Sequence, residues 1–206
     1  MEDFVTRYGL DLTTTALGLA YILLEYRASV WMWAVGLVMQ VLGVVLYYEK
    51  GLYADCGMEF YYIAMTLYGY CAWRGTRGRG PGSPAAARPV RHFPPAAALA
   101  WTAGTAALWA VIWWLLETQT DSTVPAADSF TTALSLAGMW ALARKYLEQW
   151  FIWIAVDVVT CALYFHKDIP FKASLYGLYV LIAAAGYFKW RRLMRAQPPA
   201  APHSGG

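Results

Sequence analysis

Long apolar stretches with charged residues confined to their ends constrain this chain more than any other feature. A membrane-spanning helix needs roughly 20 predominantly apolar residues, because the hydrocarbon core of a bilayer is about 30 Å thick. The predicted spans are 11–26, 30–48, 53–73, 94–116, 126–143, 147–165 and 170–190. Only 14% of the 206 residues are charged, against about 25% in a typical soluble domain. The sequence therefore predicts an all-α integral membrane protein with seven transmembrane helices.

The basic residues predict how these spans are oriented. The stretch RGTRGRGPGSPAAARPVRH fills most of the segment 75–93 and is rich in Arg, Gly and Pro, which indicates a flexible loop. If this loop is cytoplasmic, about twelve Lys and Arg residues lie on its side of the membrane and about four on the other, as the positive-inside rule requires. We therefore expect the N-terminus outside, the C-terminus in the cytoplasm, and a disordered tail at 196–206.

The chain also resembles itself. Shifted by about 117 residues, 11–74 aligns with 128–191 without a gap, giving about eighteen identities where unrelated sequence would give about five. The matches include pairs that apolar composition does not produce, among them Asp11/Asp128, Arg27/Arg144, Trp33/Trp150, Lys50/Lys167 and Trp73/Trp190. We therefore predict two parallel three-helix repeats, 11–74 and 126–191, joined by a linker helix at 94–116. Transporters with such repeats bind their substrate at the repeat interface, near the bilayer midplane.

The sixth span carries one carboxylate among aromatic residues. In QWFIWIAVDVVTCALY, Trp150, Trp153 and Asp157 share one helical face, and Tyr164 extends it by a heptad. A charged carboxylate at mid-bilayer costs a few kcal/mol, so it usually lines a pathway or has a partner. Indole rings beside it would suit a flat organic cation, which both the rings and the charge attract. The alternative is that Asp157 only bonds to a neighbouring helix.

The first repeat supplies equivalents of these residues. Gln40 corresponds to Asp157, and Trp33 corresponds to Trp150. Around a pseudo-twofold axis, the equivalent positions would face the same central cavity from opposite sides. We therefore include Gln40 and Trp33 in the predicted binding site.

Two further acids are candidates, each with a structural alternative. Glu59 lies about a third of the way into the third span, with Tyr62 one turn further on. It could bind a ligand or reach water from that depth. Asp128, with Thr132, opens the fifth span, where a carboxylate could equally cap the helix, as we expect for Asp11.

Other classes of protein lack support in the sequence. Cys56, Cys71 and Cys161 are scattered singly, so neither a disulfide framework nor a zinc site is indicated. No catalytic triad, phosphate-binding loop or HExxH motif occurs, so we expect neither an enzyme nor a cofactor. The net charge of +3 does not indicate nucleic-acid binding. Trp73 and Trp190, each followed by Arg, are typical of interfacial anchors.

The sequence resembles the PnuC family of bacterial vitamin transporters. The resemblance is carried by GLYADCGMEFYYIAMTLYGYCAW in the first repeat and by ARKYLEQWFIWIAVDVVTCALYFHKDIPFKASLYGLYVLIAAAGYFKWR in the second. Its most specific motif is the WxxW of Trp150 and Trp153, followed four residues later by a polar side chain. The resemblance covers most of 11–191 and implies a SWEET-like fold of three, one and three helices.

The resemblance also implies a function. Members take up nicotinamide riboside or related B-vitamins by facilitated diffusion across the bacterial inner membrane, often as homotrimers, and a cytoplasmic kinase traps the substrate by phosphorylation. In this chain Trp150 and Trp153 would border the substrate ring. Asp157 stands where asparagine is common and Glu59 where glutamine or asparagine is usual. Nicotinamide riboside is therefore the expected substrate, with thiamine, another organic cation, as the alternative.

Two alternatives to a uniporter are considered, a proton-coupled symporter and a receptor. Asp157 or Glu59 could carry a proton, which would make the protein a proton-coupled symporter. Seven helices could also form a receptor, but the short basic and proline-rich tail offers no signalling module. We therefore expect a uniporter for a cationic vitamin.

Overall fold

The computed structural model describes residues 16–49, 53–74, 88–120, 123–166 and 169–196, which form a bundle of seven helices. A bilayer offers no water to backbone N–H and C=O groups, so apolar runs within it must form these hydrogen bonds internally. Helices therefore account for nearly all of this part of the chain. In chain order the helices are α1 (Ala16–Tyr26), α2 (Trp31–Glu49), α3 (Tyr53–Trp73), α4 (Pro95–Gln119), α5 (Pro125–Ala143), α6 (Gln149–His166) and α7 (Pro170–Arg195).

The helices match the seven predicted spans closely, which confirms the all-α fold. Most boundaries differ by one to three residues, but α7 runs on to Arg195, because its basic last turns continue the helix beyond the apolar run. By length and hydropathy alone, α2, α4 and α6 could each cross a membrane. The start of the first predicted span, 11–15, lies outside the described residues.

The turns after α1 and α5 have the same unusual backbone. Ala28 and Lys145 both have positive φ angles, 51° and 54°, a region that side chains other than glycine seldom adopt. In each turn the backbone N–H of this residue donates to the carbonyl three positions back. The Ala28 N–H donates to the Glu25 carbonyl at 2.8 Å, and the Lys145 N–H donates to the Leu142 carbonyl at 2.9 Å. Ala28 and Lys145 are separated by the predicted repeat spacing.

The core of the bundle is a chain of four tryptophans. Trp33 meets Trp73 edge to face at 5.4 Å between ring centroids, and Trp150 meets Trp190 in the same way at 5.5 Å. A tilted contact of 5.8 Å between Trp73 and Trp190 joins the two pairs. All four side chains are buried. Offset and edge contacts of this kind add about 0.5–1.5 kcal/mol per pair beyond the burial of their area.

This arrangement corrects the expectation that Trp73 and Trp190 are interfacial anchors. An anchor must reach the lipid headgroups, but Trp73 is 3% exposed and Trp190 is fully buried. The Trp190 indole N–H instead donates to the Glu25 carbonyl at 3.0 Å, which holds the end of α1 against α7.

The thiols of Cys56 and Cys161 make equivalent contacts in the two halves, with the donor and acceptor positions exchanged. On α3 the Cys56 thiol donates to the Val44 carbonyl of α2 at 3.8 Å. On α6 the Cys161 thiol donates to the Ala173 carbonyl of α7 at 3.2 Å. Val44 and Cys161 are repeat equivalents, as are Cys56 and Ala173, so the same two positions touch in each half. These recurrences support the predicted repeat, whose parallel three-one-three arrangement stays a prediction.

The linker helix α4 packs on α5. The Trp109 indole N–H donates to the Ser129 hydroxyl at 3.1 Å, and its ring meets Phe130 edge to face at 5.4 Å. Within the described chain, no residue of α4 is buried. Its outward side chains are apolar, with Leu99 and Trp114 more than half exposed, as expected of a helix that faces lipid.

Residues 88–93, which we name the strap, differ from the flexible loop that was expected there. The strap lies along the α5–α6 turn, where Arg91 N–H donates to the Lys145 carbonyl at 3.2 Å and Leu147 N–H donates to the Arg91 carbonyl at 2.9 Å. Glu148 receives the Phe93 N–H at 2.9 Å and pairs with His92 Nδ1 at 2.7 Å. Residues 75–87 of the predicted loop lie outside the described residues.

Glycine is required where an indole touches its neighbour helix. A β-carbon at Gly186 would lie 2.5 Å from Trp150 Cη2, and one at Gly69 would meet the Trp33 ring in the same way. We expect Gly186→Ala to lower the free energy of unfolding by about 1–3 kcal/mol, the usual cost of overpacking a core. Thermal denaturation of the purified protein measures this loss. Gly104→Ala is the control, because a β-carbon there meets nothing within 4 Å.

The buried Lys145 makes stability depend on pH. Its Nζ lies 4.3 Å from the centre of the Trp73 ring. Burial, with a smaller contribution from Arg88, lowers the pKa of Lys145 to about 8 from its ordinary value of 10.5. Between these two values the unfolded chain binds more protons than the folded one, so the free energy of unfolding rises with pH.

We expect the melting temperature of the wild type to rise, relative to that of Lys145→Met, as the pH increases from about 8 to 10. Melting curves recorded in one detergent at several pH values measure the difference. Parallel curves for the two proteins would show that Lys145 is not the group responsible.

Candidate functional site

A cavity of about 790 Å³ lies between α1, α2, α3, α5, α6 and α7, with one lining residue, Met39, from α2. This volume is within the range of sites that hold small organic ligands. The residues that line the cavity are Gly18, Tyr21, Ile22, Glu25, Met39, Tyr62, Asp128, Thr131, Thr132, Ser135, Trp150, Trp153, Val156, Asp157, Thr160, Leu163, Tyr164, Leu175, Tyr176, Tyr179 and Ala183. Aromatic and hydroxyl side chains thus form most of its wall.

One face of α6 forms the longest side of the cavity. Trp150, Trp153, Asp157, Thr160 and Tyr164 all line it, because residues three and four apart project from the same face of a helix. Trp150 is 1% exposed, since most of its ring packs against Gly186 and Trp190. Among the described residues, the indole N–H groups of Trp150 and Trp153 have no hydrogen-bond partner.

Tyrosines from α6 and α7 form one end of the cavity. Tyr164 and Tyr176 stack with their ring centroids 5.4 Å apart, and Tyr179 meets Tyr176 edge to face at 5.6 Å. Lys172 lies over the outer part of this cluster, with Nζ 5.4 Å from the Tyr164 ring centre. This end therefore offers aromatic faces to a flat ligand.

The cavity is acidic. Glu25, Asp128 and Asp157 line it, and none of the lining residues that the structure describes is Lys, Arg or His. Asp157 is 7% exposed and Glu25 is 4% exposed. Carboxylates of one sign in a cavity with low-dielectric walls concentrate their field and attract positive ligands. The arrangement thus favours a cationic guest.

Most of the predicted site residues meet in this cavity. Trp150, Trp153, Asp157, Tyr62, Thr132, Asp128 and Tyr164 are all part of its lining. Their roles in binding stay predictions, but their positions agree with the helical spacing that suggested them. Asp128 lies in the first turn of α5, where Val124 occupies the N-cap position. The capping alternative therefore does not describe Asp128, and Asp11 lies outside the described residues.

Three predicted residues of the first repeat, Gln40, Trp33 and Glu59, are not among the lining residues. Gln40 accepts a hydrogen bond from the Thr66 hydroxyl at 2.8 Å, so its amide is held between α2 and α3. Trp33 is 1% exposed and packs on Gly69. Glu59 lies against Gly43, where a β-carbon would come within 2.7 Å of its carboxylate oxygen. The second repeat thus supplies most of the described lining, and the expected pairing of Gln40 with Asp157 and of Trp33 with Trp150 across the cavity is not found there.

Glu25 is the lining residue that the sequence pattern did not single out. It stands two residues before Arg27, near the end of the first span, where a charged side chain ordinarily faces water. Its repeat equivalent is Leu142, so the alignment gave no polar pair to mark it. Tyr21, Tyr176 and Tyr179 were missed for another reason, because tyrosine is common in membrane helices. An acid placed among apolar residues was the only available signal for Glu25.

The described residues contain no group of three His, Cys, Asp or Glu side chains placed to hold a metal ion. The three cysteines are free. The cavity itself offers aromatic faces, hydroxyls and carboxylates to a ligand.

An apolar helical bundle around an acidic cavity of this size is typical of a membrane transporter for a small organic molecule. Residues 8–192 match the nicotinamide mononucleotide transporter family, so the chain belongs to that family. This confirms the resemblance to PnuC proteins that the WxxW motif and its flanking residues indicated.

Two relatives show the range of the family. The riboflavin/roseoflavin transporter RibM of Streptomyces davaonensis is 29% identical over 186 residues, which cover 87% of this chain and 83% of that protein. The nicotinamide riboside transporter PnuC of Escherichia coli K12 is 24% identical over 180 residues, which cover 75% of this chain and 73% of that protein.

A solved structure has the same fold. The crystal structure of the vitamin B3 transporter PnuC superimposes with a TM-score of 0.71 at 20% sequence identity, covering 95% of this chain and 86% of that one. The seven-helix fold of the described residues is therefore that of a PnuC transporter.

Filling the cavity tests whether it is the transport site. A β-carbon at Gly18 would lie 3.2 Å from the Tyr179 hydroxyl, so a larger side chain there would occupy the cavity. We expect Gly18→Leu to reduce substrate uptake about tenfold or more, because overpacking of about 1–3 kcal/mol would oppose binding. Uptake by cells with matched amounts of protein in the membrane measures this.

The control for this variant is Gly57→Leu, because nothing lies within 4 Å of a β-carbon at Gly57. It should transport as the wild type does. Undiminished uptake by Gly18→Leu would mean that the substrate passes by another route.

Proposed function

We propose that this protein takes up a cationic B-vitamin by facilitated diffusion, and that the vitamin is nicotinamide riboside. The positively charged pyridinium ring of this nucleoside would lie among the aromatic side chains of α6 and α7, close to Asp157. Family membership supports transport as the activity. The named relatives support a vitamin as the substrate.

The charge of the cavity is the observation that supports nicotinamide riboside as the substrate. Three carboxylates line it without a basic side chain among the described lining residues. An aromatic wall adds a second attraction, because the face of an indole or phenol ring carries negative charge. A neutral vitamin would gain only contact with the rings, whereas a pyridinium gains from the rings and from the carboxylates.

Two other vitamins are alternatives. Thiamine carries a thiazolium ring, which the same charges would suit. Riboflavin is neutral, and the observation that favours it is the similarity to the riboflavin/roseoflavin transporter RibM. The three vitamins differ in charge and shape, so binding to the purified protein separates them.

The proposed cycle is a rocking of one three-helix repeat against the other around the central cavity, without coupling to an ion gradient. The bound vitamin would thus face each side in turn. The excess of Lys and Arg on one side supports a cytoplasmic C-terminus in the bacterial inner membrane. We also propose, from the family resemblance, that the protein forms homotrimers and that a cytoplasmic kinase traps the vitamin by phosphorylation.

Removal of one carboxylate tests the preference for a cation. We expect Asp157→Ala to weaken binding of nicotinamide riboside at least about tenfold, since the charge and ring contributions are each about 1–2 kcal/mol in a desolvated site. Binding of neutral riboflavin should change much less. Isothermal titration calorimetry on the purified variant, with nicotinamide riboside, thiamine and riboflavin, measures all three affinities.

Thr160→Ala is the matched control, because Thr160 lies one turn from Asp157 and lines the same cavity without a charge. It should affect cationic and neutral vitamins alike. If Asp157→Ala weakens riboflavin as much as nicotinamide riboside, the cavity does not select for charge. If the wild type binds riboflavin and neither cationic vitamin, riboflavin replaces nicotinamide riboside as the proposed substrate.

A further inference from the structure

Arg144, at the end of α5, carries hydrogen-bond donors that neither the fold nor the cavity uses. Its guanidinium lies over two rings, 5.1 Å from the centre of Trp140 on α5 and 6.0 Å from that of Tyr68 on α3. Among the described residues it makes no hydrogen bond or ion pair, although its Nε is buried. An arginine stays charged in proteins, and a buried donor without an acceptor needs a reason.

The protein itself offers no carboxylate to Arg144. Glu148, the acid of the adjacent turn, accepts the Phe93 N–H at 2.9 Å and pairs with His92 at 2.7 Å. The chain that continues from this end of the bundle beyond the described residues, 75–87 and 197–206, contains no Asp or Glu. An acceptor of opposite charge must therefore come from another molecule.

The surroundings of Arg144 are those of a groove at the lipid-facing surface. In the described chain α5 packs against α3 and against α4, which do not contact each other. This leaves a groove along α5 between the other two helices. Tyr68 is 39% exposed, so the groove opens outward at the level of the guanidinium. Arg144 follows the last residue of α5, where the apolar run ends and the polar headgroup layer of a bilayer begins.

A second guanidinium lies on the same group of rings. Arg91 of the strap lies 4.9 Å from the centre of the Tyr146 ring, and that ring meets Trp140 at 5.7 Å. Phe93 contacts both Trp140 and Tyr146. A guanidinium that stacks on a ring keeps its N–H donors free in its own plane, where they match the oxygens of a phosphate. The site thus combines phosphate donors with an apolar groove.

The repeat distinguishes this site from a general excess of positive charge. Arg27 is the repeat equivalent of Arg144 and follows the end of α1 on the same side of the bundle. Arg27 is exposed, and no described ring lies under its guanidinium. Positive charge at the interface would be supplied by either arginine. Only Arg144 lies between rings of two helices with its Nε buried.

We propose that Arg144, together with Arg91, binds the headgroup phosphate of an anionic phospholipid whose acyl chains lie in the groove between α3 and α4. Trp140 and Tyr68 hold the guanidinium in place for this contact. A lipid fits better than a soluble phosphate, because the groove continues from the phosphate donors along apolar helices. The bound lipid would contact α3 of the first repeat and the α5–α6 turn of the second. This inference does not depend on which vitamin is carried.

Lipid binding to the purified full chain tests the proposal. The protein is kept in a neutral detergent at about 0.15 M salt, which screens long-range attraction between charges. Phosphatidylglycerol is then added, and native mass spectrometry measures how much is bound. We expect Arg144→Gln to weaken this binding about tenfold, because charge-assisted hydrogen bonds to the phosphate are lost. Zwitterionic phosphatidylcholine with the same acyl chains should bind the wild type more weakly.

Arg27→Gln is the matched control, because it removes the same charge from the equivalent position of the other repeat. Its affinity for phosphatidylglycerol should stay within about twofold of the wild-type value. Equal losses in Arg27→Gln and Arg144→Gln would overturn the proposal, since the lipid would then respond only to overall charge.

Arg144→Lys separates the shape of the guanidinium from its charge and serves as the test if Arg144→Gln does not fold. Lysine keeps the charge but lacks the planar set of donors, so most of the loss should persist. Wild-type affinity in Arg144→Lys would contradict the proposed geometry. Glycerol 1-phosphate, which has the headgroup phosphate without acyl chains, should not displace the lipid. Displacement at equal concentration would assign the site to a soluble phosphate and overturn the proposal.

Discussion

One contact, an indole ring lying directly on a glycine of the next helix, holds each half of this molecule together. Trp33 lies on Gly69 between α2 and α3, and Trp150 lies on Gly186 between α6 and α7. Without a hydrophobic driving force between helices in lipid, close packing of large and small side chains supplies much of their association. The contact sets how near the paired helices come, and through Trp150 it fixes the rotation of α6. The face that lines the cavity follows from that rotation.

The two tryptophans of the WxxW motif, Trp150 and Trp153, have different surroundings. Trp150 packs into the core with most of its ring and borders the cavity only at its edge, while Trp153 on the next turn is less buried. A WxxW motif can therefore combine two roles, one residue fixing the helix and the other facing the ligand. This explains why indole spacing alone located the helix face that lines the cavity but did not assign different roles to Trp150 and Trp153.

The helices could be predicted from sequence because a bilayer permits few alternatives to long apolar helices. The α6 face could be predicted for a related reason, since its spacing is local. The absence of Gln40 and Glu59 from the cavity lining could not be predicted. The repeat shows which positions are equivalent but not which side chains face the cavity, and Thr66 holds the Gln40 amide between α2 and α3. Glu25 was missed since its surroundings depend on α7, where Trp190 meets its carbonyl. The fixed position of the strap likewise depends on a pairing between residues far apart in the chain.

The strap and α4 change which parts of the protein can move as one. The strap is hydrogen-bonded to the α5–α6 turn, and Trp109 ties α4 to α5. The linker helix is therefore fastened to the second repeat rather than suspended evenly between the two. Any rigid-body motion would divide the bundle into unequal parts, three helices against four.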